Sequence, residues 1–136
     1  MTHRQRLEEI WVEIDRGRVD VMRHYFAADY VRHSDEGDLS REGFAEGLAA
    51  LHAGFPDLES AIEDVISGAD RAAWRWSAGG THDGIYMGVP PTHRRVTFSG
   101  ITISRFDDLG LICEDWASWN RVSVLHRMGI LPLDIA

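Results

Sequence analysis

With a single cysteine in 136 residues, no disulfide can form within the chain. Cys113 therefore reads as a packing residue and the chain fits a reducing compartment. Basic charge is also scarce: 14 Lys and Arg stand against 22 Asp and Glu, a formal net charge of −8 with His neutral. That balance argues against nucleic acid, whose binding depends on neutralising phosphates, and against anionic membrane surfaces. No apolar run approaches the length of a membrane span, and Met1–Trp11 has no apolar leader core, so a cytoplasmic protein is expected. There are no internal repeats, low-complexity stretches or linkers. No histidine pair has zinc-site spacing, no glycine cluster forms a phosphate loop, and no G-x-S-x-G is present. Metal and nucleotide cofactors therefore have no support.

The chain does hold enough apolar residues for a real core, with five Trp, and its length suits one domain over 1–136. Leu7, Ile10, Trp11 and Ile14 have helical spacing, and Thr2 with Gln5 has capping-box spacing, which predicts a helix over 2–14 that stops at Gly17. A shorter helix is expected over 19–27, then a short strand at Asp29-Tyr30-Val31 and a polar loop from Arg32 to Asp38. Ser40 caps a third helix to about His52. After Phe55-Pro56-Asp57 the period becomes two. Strands are expected over 58–66, 71–79, 95–106 and 111–120, with extended chain around Gly84 and a closing helix over 121–128. Helices followed by a run of strands make an α+β layout, in which a curved antiparallel or mixed sheet wraps the N-terminal helices and encloses a pocket.

The stretch Gly110–Asn120 carries two carboxylates, Glu114 and Asp115, amid Trp116 and Trp119. Strand alternation sends them to opposite faces, with Asp115 beside Ala117 and Trp119. A desolvated carboxyl is a usable acid or base; the competing assignment is an ion pair at a surface or interface.

Phe55-Pro56-Asp57-Leu58, Gly80-Thr81-His82-Asp83-Gly84, Gly88-Val89-Pro90-Pro91-Thr92 with Arg94-Arg95, and Glu114-Asp115-Trp116 follow one another in an order that resembles the SnoaL-like polyketide cyclases of the nuclear-transport-factor-two-like superfamily. The resemblance covers nearly the whole chain. It implies a cone-shaped α+β barrel, no cofactor, and acid/base chemistry on a small hydrophobic carbonyl or polyketide-like metabolite: cyclisation, isomerisation or elimination. Epoxide or lactone hydrolysis, and ligand binding or assembly without catalysis, are the alternatives. The fold hosts many functions, so the site must decide.

The acid/base Asp of the known cyclases falls at Ala117 here, and their His at about Thr102. That pair is absent, and Asp115, two residues before Ala117 and on its face, is the expected replacement. Asp115→Asn should then abolish turnover and leave folding intact. His82 and His33 are the expected carbonyl-polarising partners, since imidazole titrates near neutrality; each could instead be a structural or solvated histidine. Arg75 could pair with Asp115, bind an anionic group, or form a cross-strand pair. Trp76, Tyr86, Met87, Thr102, Ala117 and Trp119 complete the expected substrate contacts. Apolar bulk on both sheet faces points to a homodimer.

Overall fold

The computed structural model describes residues 1–130; residues 131–136 of the expected domain lie outside the described part. Helix α1 spans His3–Asp15, and Thr2 caps it through a complete capping box with Gln5. A single 3-10 turn (Val19–Val21) and a four-residue helix α2 (Met22–Tyr25) follow. The expected helix over 19–27 thus ends early, because Phe26 already begins strand β1 (Phe26–Ser34). The expected polar loop is itself sheet: β1 continues to Ser34 and pairs antiparallel with β2 (Gly37–Ser40). Apart from Arg32, which is buried, its polar residues are the outer side and turn of a hairpin, where alternation is diluted by Asp, Glu and Gly.

Helix α3 (Arg41–Gly54) starts at Ser40, whose hydroxyl accepts from the Gly43 amide. Strands β3 (Glu59–Ser67), β4 (Arg71–Thr81), β5 (Arg95–Phe106) and β6 (Ile112–Trp119) complete an open six-stranded mixed sheet in the order β2-β1-β6-β5-β4-β3. Only β1 and β6 run parallel; the other neighbours are antiparallel. Helix α4 (Arg121–Arg127) closes the described chain, with Gly129 in the left-handed region after it.

Two register shifts decide which side chains face inward. In β3, Ile62 pairs with Trp76 and Asp64 with Arg75, which leaves Glu63 extra. In β6, Ile112 pairs with Phe106 and Glu114 with Arg105, which leaves Cys113 extra. A bulge residue reverses side-chain parity, so Ile112 and Asp115 are both fully buried although strict alternation separates them. On β3, Val65 packs toward the core and Ile66 is exposed, the reverse of the alternation read from Leu58.

Two apolar clusters hold the layers together. One gathers Leu7, Ile10, Ile14, Phe26, Tyr30 and Trp74 beneath α1; the other gathers Phe55, Val96, Phe98, Val124 and Met128 beneath α4. Trp76 touches both, and a hollow lies where they meet. Gly100 makes room for that ring: a Cβ there would stand 2.5 Å from the Trp76 ring and 2.7 Å from the Ser118 carbonyl oxygen. Gly100→Ala is expected to cost about 1–3 kcal/mol, as overpacked sites do, and to displace Trp76. Urea unfolding and tryptophan fluorescence check both effects.

Candidate functional site

The hollow is a cavity of about 550 Å³, within the range of small-molecule sites. Trp11, Phe44, Leu48, Trp74, Trp76 and Phe98 supply apolar walls, and Arg32, Asp15, Ser60, His52 and Thr102 are its polar inner groups. Ile85, Tyr86 and Met87, on the loop after β4, lie along it with Glu36 and Arg121. That loop is docked on the end of α3: the Asp83 and Gly84 amides donate to the Gly54 carbonyl oxygen, and a Cβ on Gly84 would collide with the Ala53 carbonyl oxygen, so no side chain fits. An ion pair of Arg121 with Glu36 (2.9 Å) ties the β1–β2 turn to the start of α4.

The floor of the cavity is built from three strands. Tyr30 and Arg32 share one face of β1, and Arg32 is the register partner of Asp115 across the parallel β1–β6 pair. The Asp115 carboxylate accepts from the Tyr30 hydroxyl at 2.6 Å and from the Ser104 hydroxyl. Ser104 in turn accepts from Trp74 Nε1 at 3.0 Å. Arg32 Nη1 lies 3.5 Å from Asp115, and its guanidinium stacks on Phe44 at 4.1 Å from the ring centre. Burial pushes the Asp115 carboxyl up, and Arg32, Ser104 and Tyr30 pull it back. Burial, then the Asp115 charge, pushes the Tyr30 phenol up, which keeps it a neutral donor. Tyr30, Ser104 and Trp74 thus each hold a hydrogen bond, as members of a buried polar network must.

Trp76, Tyr86, Met87, Thr102 and Trp119 line the cavity, with Trp76 Nε1 donating to the Thr102 hydroxyl at 3.1 Å. Thr102 and Ala117 are register partners, so the two positions that carry the known cyclase pair are neighbours here, but Ala117 is not on the cavity wall. Asp115 does not reach the wall either, because Tyr30, Ser104 and Arg32 surround it. Arg75 points to the opposite face of β4 from Trp74 and Trp76 and pairs with Asp64 at 2.7 Å, not with Asp115. His82 is buried in the loop after β4, held by Thr92, and lies off the cavity.

His33 stands on the other side of β1 from Arg32, bonded to Glu114 at 2.7 Å and to Asp38 at 2.8 Å. The Glu114 and Asp38 carboxylates hold its pKa above the usual value of 6.5, while His33 and Arg105 hold Glu114 below its usual 4.5. A raised histidine contributes stability that is present at low pH and fades as pH rises through its raised value. His33→Ala is therefore expected to lower the melting temperature at about pH 5.5 and to have much less effect at about pH 9. Melting curves at the two pH values check the sign.

Sequence reasoning missed Arg32, His52, Asp15 and Ser60. Arg32 had a signal: it lies two residues from Tyr30 and so shares its face once the strand is extended. The others meet only in three dimensions. Among the described residues, no three His, Cys, Asp or Glu converge as metal ligands and no helix is long and apolar enough to cross a membrane.

The fold and its relatives agree. AclR from Streptomyces galilaeus, a proposed hydroxylase, superposes with TM-score 0.86 at 28% identity over 95% of this chain and 96% of that one. IdmH from Streptomyces antibioticus, a proposed polyketide cyclase, gives 0.80 at 29% identity over 92% and 96%. A SnoaL-like polyketide cyclase from Jannaschia shares the fold at TM-score 0.82 and 22% identity, over 94% and 92%. No curated protein matches the sequence. The family model for SnoaL-like polyketide cyclases matches residues 1–127, and with the shared fold, this chain belongs to the SnoaL-like polyketide cyclase family.

Proposed function

We propose that the protein is a cofactor-free acid/base enzyme acting on a small, largely apolar carbonyl compound of polyketide type, through an enolate formed in the cavity. The observation that carries this reading is Arg32: a buried guanidinium on the wall of a largely apolar cavity, paired with Asp115. A fixed cation in a dry site stabilises an oxyanion far better than water does. Asp115 is then a positioning residue. It holds Arg32 in place and takes no proton from substrate. The chain contains no lysine, so carbonyl activation through a lysine Schiff base is closed to it. The aromatic walls suit a flat ring system and hold a flexible chain close to its own carbonyl, where proximity supplies much of the rate. The name given to IdmH supports a cyclisation as the natural reaction.

The test needs no natural substrate. β-Tetralone, a bicyclic ketone, is incubated with the protein in heavy water, and loss of its α-protons is followed by NMR. Binding is followed separately by quenching of the cavity tryptophans. Exchange well above the buffer rate is expected. Binding without any acceleration would overturn the enolate chemistry, and no binding would overturn the substrate class.

The outer sheet face exposes Ile101 and Ile103 on β5 and Ile66 on β3, which supports the proposal of a homodimer. Sedimentation equilibrium is expected to give twice the chain mass.

A further inference from the structure

Helix α3 forms one side of the cavity. Phe44, Gly47, Leu48 and Leu51 all line it, and their spacing of three and four residues puts them on one stripe. Glu46 and Ala49, on the other side of the helix, are exposed and lie off the cavity. Gly47 therefore interrupts an otherwise bulky apolar stripe, in the interior of a 14-residue helix. Glycine is a poor residue for that place, because it weakens a helix relative to alanine.

Packing does not demand it. At Gly54 an added Cβ would stand 2.6 Å from the Tyr86 Cβ, and at Gly100 2.5 Å from the Trp76 ring, so neighbours force those glycines. At Gly47 an added Cβ would meet no atom within 4 Å, and the backbone is helical. Alanine would fit and would strengthen the helix. What the glycine preserves is open volume on the cavity side of α3.

The place of that volume matters. Phe44 carries the Arg32 guanidinium on its ring, 4.1 Å from the centre. At the other end of α3, Gly54 is bonded to the loop that brings Ile85, Tyr86 and Met87 to the cavity. With a rise of about 1.5 Å per residue, Gly47 lies about 4.5 Å beyond Phe44 in the direction of that loop. A ligand whose oxygen meets Arg32 and whose body runs along α3 toward the loop must pass Gly47. The cavity, about 550 Å³, has the size that holds a drug-sized ligand, which is larger than a two-ring ketone.

We propose that Gly47 sets the length of ligand the cavity accepts: the space beside it receives the rings beyond the second of a flat, fused polycyclic ketone. This names the substrate class of the site and rests on the carbonyl reading above. Phe44, Leu48 and Leu51 flank that space, so the part of the ligand lying there is apolar. A larger side chain at position 47 shortens the cavity and leaves Arg32 in place.

Two phenols that mimic enols test this: β-naphthol, with two fused rings, and 2-anthrol, with three. Their affinities are read from quenching of the cavity tryptophans. Wild type is expected to bind 2-anthrol roughly tenfold more tightly, because the third ring buries more apolar surface. Gly47→Leu is expected to lower the ratio of the two affinities by roughly tenfold or more, the usual effect of a filled apolar subsite. If Gly47→Leu does not fold, Gly47→Met, with an unbranched chain, is read in the same way. Gly47→Ala is expected to raise the melting temperature by roughly 2–5 °C. A ratio in the folded bulky variant within about twofold of wild type, or a Gly47→Ala protein that melts below wild type, overturns the role of Gly47. So does a wild type that binds the two phenols equally. The enolate reading fails separately: a wild type with the expected preference for 2-anthrol that accelerates no β-tetralone exchange overturns that chemistry and leaves Gly47 as the determinant of ligand length.

Discussion

Asp115→Ala is expected to destabilise the protein by about 3–5 kcal/mol, the cost of stripping one partner from a buried ion pair. In a chain of this size that lowers the melting temperature by roughly 10–20 °C. The reason is geometric. Asp115 is fully buried, accepts from the Tyr30 and Ser104 hydroxyls and forms an ion pair with Arg32. Without it, two hydroxyls lose an acceptor and the Arg32 guanidinium stays in a largely dry place with no counter-charge. Even Asp115→Asn, which keeps the shape, removes the charge, so the sequence-based expectation of an intact fold does not survive the geometry. The double change Arg32→Met/Asp115→Leu is expected to recover most of the loss, because replacing both members of a buried pair with apolar residues is often neutral. It should fold and remain inactive. Urea unfolding of the three variants checks this. A cost below about 1 kcal/mol for Asp115→Ala would mean that the pair behaves like a surface one.

Arg32→Lys is expected to leave stability nearly unchanged and to slow β-tetralone exchange by roughly 10²–10³-fold, the effect of losing one well-placed oxyanion donor. Lysine keeps the charge beside Asp115. It cannot lie flat on Phe44 as the guanidinium does at 4.1 Å, nor present a planar fork of donors to Asp115 and to a substrate oxygen together. Ketone affinity, read from tryptophan quenching, should change little, because the apolar walls supply most of the binding. Weaker affinity with an unchanged maximal rate would make Arg32 a binding residue only.

How much of this was legible in the sequence follows from the range of each interaction. The Thr2–Gln5 capping box and the Ser40 cap are local, and both stand as read. Strand β5 has the expected bounds, since Val96, Phe98, Thr102 and Ser104 alternate inward without interruption. Parity failed where a bulge intervened, at Glu63 and at Cys113, because an extra residue in one strand is defined only by its partner. Hairpin β1–β2 was hidden by its polar side. In the site, Trp76, Tyr86, Met87, Thr102 and Trp119 were named from the sequence and lie on the cavity wall. Asp115 was named too, but not the Arg32 that stands between it and the cavity. His52 could not be distinguished from the other histidines by sequence. Its place on the cavity wall and its Nδ1 bond to the Leu48 carbonyl oxygen one helical turn earlier are visible only in the fold.

The most direct test of the central claim is a crystal structure of the protein with β-naphthol bound. The expected result places the rings among Trp74, Trp76 and Phe98, with the naphthol oxygen within about 3 Å of the Arg32 guanidinium and Asp115 still holding that guanidinium from behind. A ligand whose oxygen points to Arg121 and Glu36, with Arg32 untouched, would contradict the claim that the buried cation is the group that meets the substrate's oxygen.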